Sequence, residues 1–335
     1  MKSLLFITCV LVAVGFYFFS KNSPSVFQEE QTKVFETLLP REEYPPHPDT
    51  LPMMAQKEFS GSDLKLEGIL EKNEVHTRYA LTYRSEGLAI SGIMNIPQGK
   101  GPFPVLILNH GYIDPEKYTS GAGLKREQDF FARHGYAVLH SDYRNHAGSD
   151  FDVRNEVRPR SGYVEDVLNA ISALKKSGIK NIDTENIGML GHSMGGGVTL
   201  NIMVAKPEAA KAYALLAPIH ADYQVNFDKW VVTEWPETAA EFYRTYWTRE
   251  ENPQFWKDIS ASNFLAKISA PVLLHQGTAD SEVPVEWSRE LAEQLRKEGK
   301  DITYYEYPGE PHVFGSAQAL VMQRTLDFFD AALKK

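Results

Sequence analysis

The chain is 335 residues long, 43% apolar, and carries a formal charge of −9. That length holds one large domain or two small ones around a sizeable core. The acidic balance without a basic run excludes nucleic acid as an expected partner, and a single cysteine, Cys9, excludes a disulfide framework and a cysteine-built metal site.

Met1-Lys2 precedes an apolar run from Leu4 to Phe19, and Ser20-Lys21-Asn22 follows it. A basic start before such a run reads as an export segment over residues 1–20. The run is slightly short for a membrane span and long for a cleaved signal, and Phe16-Tyr17-Phe18-Phe19 offers no small-x-small cleavage site. An uncleaved signal-anchor is expected, with a cleaved signal peptide as the alternative. Phe6-Ile7-Thr8 lacks the small residue expected before a lipidated Cys9. Residues 21–74 are expected to form a stalk, because Pro40, Pro45, Pro46, Pro48 and Pro52 cluster among charges and favour extended chain. The expected location is therefore exported, either membrane-anchored through the N-terminal segment alone or secreted or periplasmic.

A catalytic domain is expected over residues 75–335. Arg78–Tyr83 and Leu88–Ile96 alternate as two antiparallel strands around the turn Ser85-Glu86-Gly87. Phe103–Asn109 is a continuous apolar run, as in a strand covered on both faces. It ends in His110-Gly111-Tyr112, where Gly111 permits a close turn, Tyr112 presents its N–H, and His110 braces the loop. Gly123–His134 reads as a helix, Gly135–His140 as a strand, and Ser141–Ser149 as a polar loop. In that loop Asp142 and Arg144 either pair with each other or touch substrate, and the ion pair is the expected arrangement. Val164, Val167, Leu168, Ile171 and Leu174 recur at helical spacing. Strand and helix in alternation imply a mostly parallel sheet with helices on both faces.

Ile187–Leu190 is a short apolar strand leading into Gly191-His192-Ser193-Met194-Gly195 and then a helix. This strand–turn–helix context is the one a G-x-S-x-G nucleophile elbow requires. The turn is so sharp that residues two positions either side of the serine must be small. It lifts the Ser193 hydroxyl above the sheet edge and aims the Met194 amide toward an oxyanion. A phosphate-binding loop would need a Gly-Lys-Ser/Thr ending, which is absent.

After the strand Lys211–Ala217 the alternation breaks. Residues 218–267 hold four of the five tryptophans, Trp230, Trp235, Trp247 and Trp256, with Tyr223, Phe227, Phe242, Tyr243, Tyr246 and Phe255. A helical, aromatic-rich cap is expected, its rings either lining a substrate pocket or fastening the cap. The strand beginning Pro271 runs into a loop carrying Asp280. The strand Ile302–Tyr307 runs into a loop carrying His312, and Ser316–Leu333 closes as a helix. Ser193, Asp280 and His312 thus follow strands in the order Ser, Asp, His, which puts all three at one sheet edge. The ten histidines show no tight metal-ligand spacing, so no metal or other cofactor is expected.

His110-Gly111, Ser141-Asp142-Tyr143-Arg144, Gly191–Gly196, His275–Asp280 and His312 resemble the α/β-hydrolase superfamily, and within it the prolyl-oligopeptidase-like serine hydrolases. The resemblance runs from about Tyr79 to Lys335. It implies an oxyanion hole from the Tyr112 and Met194 amides, Ser193 as nucleophile, Asp280 as acid and His312 as base. Similar sequences include acyl-aminoacyl and dipeptidyl peptidases and also feruloyl, cinnamoyl and acetyl esterases. The peptidases carry a β-propeller before the catalytic domain where a signal and stalk are expected here, and many members have a second glycine where Tyr112 stands. Both departures favour a small carboxylic ester as substrate over a short peptide. The expected chemistry is two-step acyl transfer, and since a histidine base works only when neutral, activity should fall on acidification. The alternatives are a peptidase, in which Glu310 and Asp142 are candidate acids for an amine, and a non-catalytic tethered binding protein.

Overall fold

The structure, a computed structural model, describes residues 46–334. The expected export segment, Cys9, and the expected stalk before Pro46 lie outside the described residues. No helix among the described residues is long and apolar enough to cross a membrane.

The part of the expected stalk that is described is folded, which corrects the boundary at residue 75. A short helix, α1 (Leu51–Gln56), is followed by a strand, β1 (Ser62–Lys72). Pro52 sits in the first turn of α1, where the missing N–H would have had no helical partner. The proline cluster therefore starts a helix as well as stiffening chain. β1 pairs antiparallel with β2 (His76–Ser85), which pairs with β3 (Leu88–Pro97) across a tight turn. Glu86 and Gly87 hold φ of 51° and 85° there, as a hairpin twisted to match its strands requires.

From β4 (Phe103–Asn109) the chain alternates. It runs through α2 (Lys125–Arg133), β5 (Ala137–Ser141), α3 (Ser161–Lys176), β6 (Ile182–His192), α4 (Met194–Ala205) and β7 (Ala212–Leu216). β5 and β7 are buried throughout, which is why these strands read as unbroken apolar runs.

Residues 218–267 then leave the sheet. Tyr223–Asn226, the π-helical turn Phe227–Val231 and Val232–Glu234 form one run, followed by α5 (Pro236–Tyr246) and α6 (Pro253–Asp258). Tyr223, Phe227, Phe242, Tyr246, Phe255 and Trp256 pack on each other as a separate core. These rings fasten the cap. Two tryptophans point elsewhere: Trp230 meets Trp287 at 5.6 Å and Trp235 meets Tyr112 at 5.5 Å.

The chain returns as β8 (Val272–Gly277), α7 (Val285–Lys297), β9 (Ile302–Tyr307) and α8 (Gln318–Leu333). The sheet order is β1-β2-β3-β5-β4-β6-β7-β8-β9, antiparallel as far as the β3–β5 pair and parallel from β5 onward. One apolar layer joins α3, α4 and α7 to the sheet, and another joins α2 and α8 to it. This is the α/β-hydrolase architecture anticipated from the alternation.

Asp142 and Arg144 do not pair with each other, which corrects that expectation. Tyr143, at φ 63°, turns the chain between them. Arg144 binds Asp166 at 2.8 Å, Asp152 at 3.1 Å and Glu165 at 3.2 Å. Asp142 accepts hydrogen bonds from the hydroxyls of Ser91, Tyr118 and Ser120 and from the Gly121 amide. Both are structural, and neither faces a substrate site.

Candidate active site

Ser193 stands alone between β6 and α4, with φ 54° and ψ −120°. A residue with a Cβ rarely holds that backbone, and it persists only where the surroundings over-determine it. Here the Ser193 amide donates to the Leu216 carbonyl at 3.0 Å, and its carbonyl accepts from Gly196 at 2.9 Å and Ile219 at 3.2 Å. The flanking glycines are sterically required. A Cβ on Gly191 would be driven into the Gly195 carbonyl, and one on Gly195 into that of Asn109. Thr199 Oγ1 locks the turn, accepting from Asn109 Nδ2 and donating to the Gly195 carbonyl, each at 2.8 Å.

Asp280 and His312 come together from the loops after β8 and β9. Those loops are tied by Thr278 N–H to the Tyr307 carbonyl and Ala279 N–H to the Glu310 carbonyl, both at 3.0 Å. Asp280 Oδ2 lies 2.7 Å from His312 Nδ1 and accepts from Gln276 Nε2 at 2.9 Å. Its Oδ1 accepts from the amides of Glu282 and Val283. Burial pulls the Asp280 pKa up, but the hydrogen bonds from His312 and those amides outweigh it and hold the carboxyl below its ordinary value. A charged carboxylate on Nδ1 fixes the tautomer that leaves Nε2 with its lone pair. Among the described residues His312 Nε2 lies 3.7 Å from the exposed carboxylate of Glu282, and Ser193 makes no direct hydrogen bond to His312.

The loop after β4 reaches the same place. A Cβ on Gly111 would sit 3.1 Å from Ser193 Cβ, so the backbone passes close over the nucleophile position. The Tyr112 and Met194 amides have no acceptor among the described residues. His110 braces this loop as expected, with Nδ1 2.7 Å from the Gly111 carbonyl and its ring stacked on Tyr118 and Tyr143. Burial drives its pKa down to about 3, so it is a neutral spacer. The Tyr112 ring is largely exposed and turned to the cap. Partial burial and the nearby Asp114, Glu156 and Glu234 push its phenol pKa up.

Two residues that sequence spacing did not single out belong to this constellation. His192 Nε2 lies 3.1 Å from the His312 carbonyl, and the two rings are 4.6 Å apart. Gln276 orients Asp280, itself held by Ser288 at 2.8 Å. Glu310, a sequence candidate for amine recognition, is buried and accepts from Ser316.

The prolyl oligopeptidase family model matches residues 122–335. The chain belongs to that family of serine hydrolases. Among curated proteins it is 24% identical over 304 residues to the uncharacterized peptidase YuxL of Bacillus subtilis (strain 168), covering 87% of this chain and 43% of that one. The chain thus spans less than half the length of that relative. Pyrococcus horikoshii acylaminoacyl peptidase superposes with a TM-score of 0.65 at 22% identity, over 79% of this chain and 43% of that one. The acetyl xylan esterase from Paenibacillus sp. R4 superposes with a TM-score of 0.62 at 18% identity, over 84% of this chain and 92% of that one.

Proposed function

We propose that this protein is a serine esterase acting on small carboxylic esters by a Ser193–His312–Asp280 acyl-enzyme mechanism. One observation carries the assignment: the positive-φ serine at the elbow directly follows His192, whose ring meets that of His312 at 4.6 Å, and His312 Nδ1 is already bound to a buried carboxylate. His312 Nε2 takes the Ser193 proton as Oγ attacks the ester carbonyl. The unclaimed Tyr112 and Met194 amides stabilise the oxyanion, and Asp280 stabilises the imidazolium. His312 then gives the proton to the departing alcohol, and water, activated by the same imidazole, releases the acid. The bond broken is the acyl–oxygen bond, and Ser193 carries the acyl group between the two steps.

The choice of ester over peptide rests on the two sequence candidates for holding a peptide amine. Asp142 is consumed by four hydrogen bonds and Glu310 is packed inside its own loop. A peptidase reading has support of its own in Asp114, Glu156 and Glu234, whose charges surround the Tyr112 phenol. A rate panel separates the two, comparing p-nitrophenyl acetate, butyrate and octanoate with aminoacyl and acyl-aminoacyl p-nitroanilides, with Ser193→Ala as control. Fast ester turnover with negligible anilide cleavage is expected. Efficient anilide cleavage would replace the ester reading with the peptidase one, and full activity in Ser193→Ala would remove the nucleophile.

A further inference from the structure

A cleft runs between the cap and the start of α3, lined by Arg160, Gly197, Asn201, Ile219, His220 and Tyr223 among others. It adjoins the elbow. Gly197 and Asn201, four residues apart on one face of α4, line the cleft, and α4 begins one residue after Ser193, so Asn201 lies about 12 Å along the axis from the elbow. Ile219, one wall of the cleft, donates its amide to the Ser193 carbonyl at 3.2 Å.

Most polar groups in the cleft are already engaged. His220 Nδ1 accepts from the Asp222 amide and its Nε2 faces Glu290. Asn226 accepts from the His220 amide and donates to the carbonyls of His220 and Asp222. Arg160 differs. Among the described residues no carboxylate lies within ion-pair distance of it, and its guanidinium lies over the Tyr223 ring, 5.7 Å from the centroid. Its neighbours are all engaged: Arg144 binds Asp166, Arg154 binds Asp152, and Arg158 binds Asp49 and Glu165. The Asn201 amide is likewise uncommitted among the described residues. Arg160 is also fixed by its backbone. It holds φ 59° and ψ 12°, pinned by its amide to the Arg158 carbonyl at 2.7 Å and by its carbonyl accepting from Tyr163 at 3.2 Å. A left-handed arginine, half-buried on an aromatic wall without a counter-ion in a chain of charge −9, is a cation held ready for a partner from outside.

We propose that this cleft is an anion subsite, in which Arg160 binds a carboxylate on the substrate through its two-pronged guanidinium and Asn201 adds a third donor. The substrate class is then the half-ester of a dicarboxylic acid, with its ester carbon at Ser193 and its free carboxylate in the cleft. The proposal rests on the esterase reading above, and its test is arranged so that the two fail separately.

Monoethyl adipate and ethyl hexanoate have the same chain length and differ in the terminal carboxylate. The ratio of their kcat/KM values, followed by titration of released acid, should fall about tenfold to a hundredfold in Arg160→Met, as expected for losing hydrogen bonds to a charged group. Arg160→Lys should keep part of the ratio, as a point charge without the planar fork. A ratio unchanged in Arg160→Met overturns the subsite. If the native chain hydrolyses neither ester, the esterase reading fails instead. The subsite is then decided by calorimetric titration of adipate into Ser193→Ala: binding that is lost in Ser193→Ala/Arg160→Met supports it, and equal or absent binding in both overturns it.

Discussion

Ser193 is held at a backbone angle that suits glycine, and a stability measurement can separate that strain from the chemistry. At an ordinary position glycine is less stable than alanine by roughly 0.5–1 kcal/mol. At φ 54° and ψ −120° the order should reverse, with Ser193→Gly about 1 kcal/mol more stable than Ser193→Ala and both inactive. Urea unfolding of the two variants checks this, and a glycine variant no more stable than the alanine one would mean the elbow stores no strain. The nucleophile was legible in the sequence because the turn dictates glycines on either side. The partners were legible because each lies in a loop just after a strand, in the order the fold demands. His192 was not. Its place inside G-x-S-x-G says nothing about which ring it meets, and only the fold brings it to the His312 carbonyl. Desolvation and the neighbouring His312 lower the His192 pKa to about 4, so at neutral pH Nε2 is a neutral N–H donor or an acceptor, and beside a carbonyl it donates. His192→Gln, which keeps a terminal N–H donor, should retain most of kcat. His192→Phe should lose about tenfold in kcat with little change in KM, as the His312 loop loosens. A phenylalanine variant as fast as the glutamine one would leave His192 a packing residue.

At the scale of elements, periodicity read most strands and the flanking helices, and it failed at the entry to the domain. β1 is an edge strand that alternates only as far as Glu67, with Leu64 and Leu66 turned to the core; beyond it Ile69 and Leu70 are both exposed, so the alternating stretch is short for a strand signal. α1 is too short to show a period, and the prolines around it favoured an extended reading. Leu51 and Met54 bury α1 in the core, and what fastens the chain before that helix is electrostatic and long-range, which no local pattern reveals. The Asp49 carboxylate takes Arg158, the Ser161 hydroxyl and, from the cap, the Tyr246 hydroxyl at 3.1 Å. Burial raises the Asp49 pKa, but the Arg158 charge and hydrogen bond prevail and keep it ionised. A fragment starting at Leu51 loses this carboxylate and leaves Arg158 with Glu165 alone. It should be about 2 kcal/mol less stable than one starting at Pro46, read from urea midpoints at equal slope. Equal midpoints would return residues 46–50 to the linker.

For the molecule as a whole, the buried imidazoles set how the fold responds to acid. His110, His140 and His275 have no exposed surface, and burial lowers each pKa to about 3. An unfolded chain protonates each of them near pH 6.5. Below that pH the unfolded state binds protons that the native state refuses, so native stability is whole above pH 6.5 and declines as pH falls toward 3. The limiting slope is about 1.4 kcal/mol per pH unit for each histidine, with smaller values near pH 6. The carboxylates of Asp49, Asp152, Glu165 and Asp280 are held low by their partners, and they weaken the fold in the same direction only once the pH passes below their ordinary values near 4. Between pH 6.5 and 5 the imidazoles therefore act against only the buried carboxyls of Glu127 and Asp166, whose pKa values burial raises, so that these take up protons in the native state and offset part of the loss. The urea midpoint should fall steadily across that interval, and replacing His140 with glutamine, which can still meet the Tyr118 hydroxyl, should remove about one proton from that dependence. A midpoint flat between pH 7 and 5 in the native chain and the variant alike would mean that these histidines gain protons in the native state, through openings of the loop layer behind Ser193 where His110 and His140 stack 5.2 Å apart.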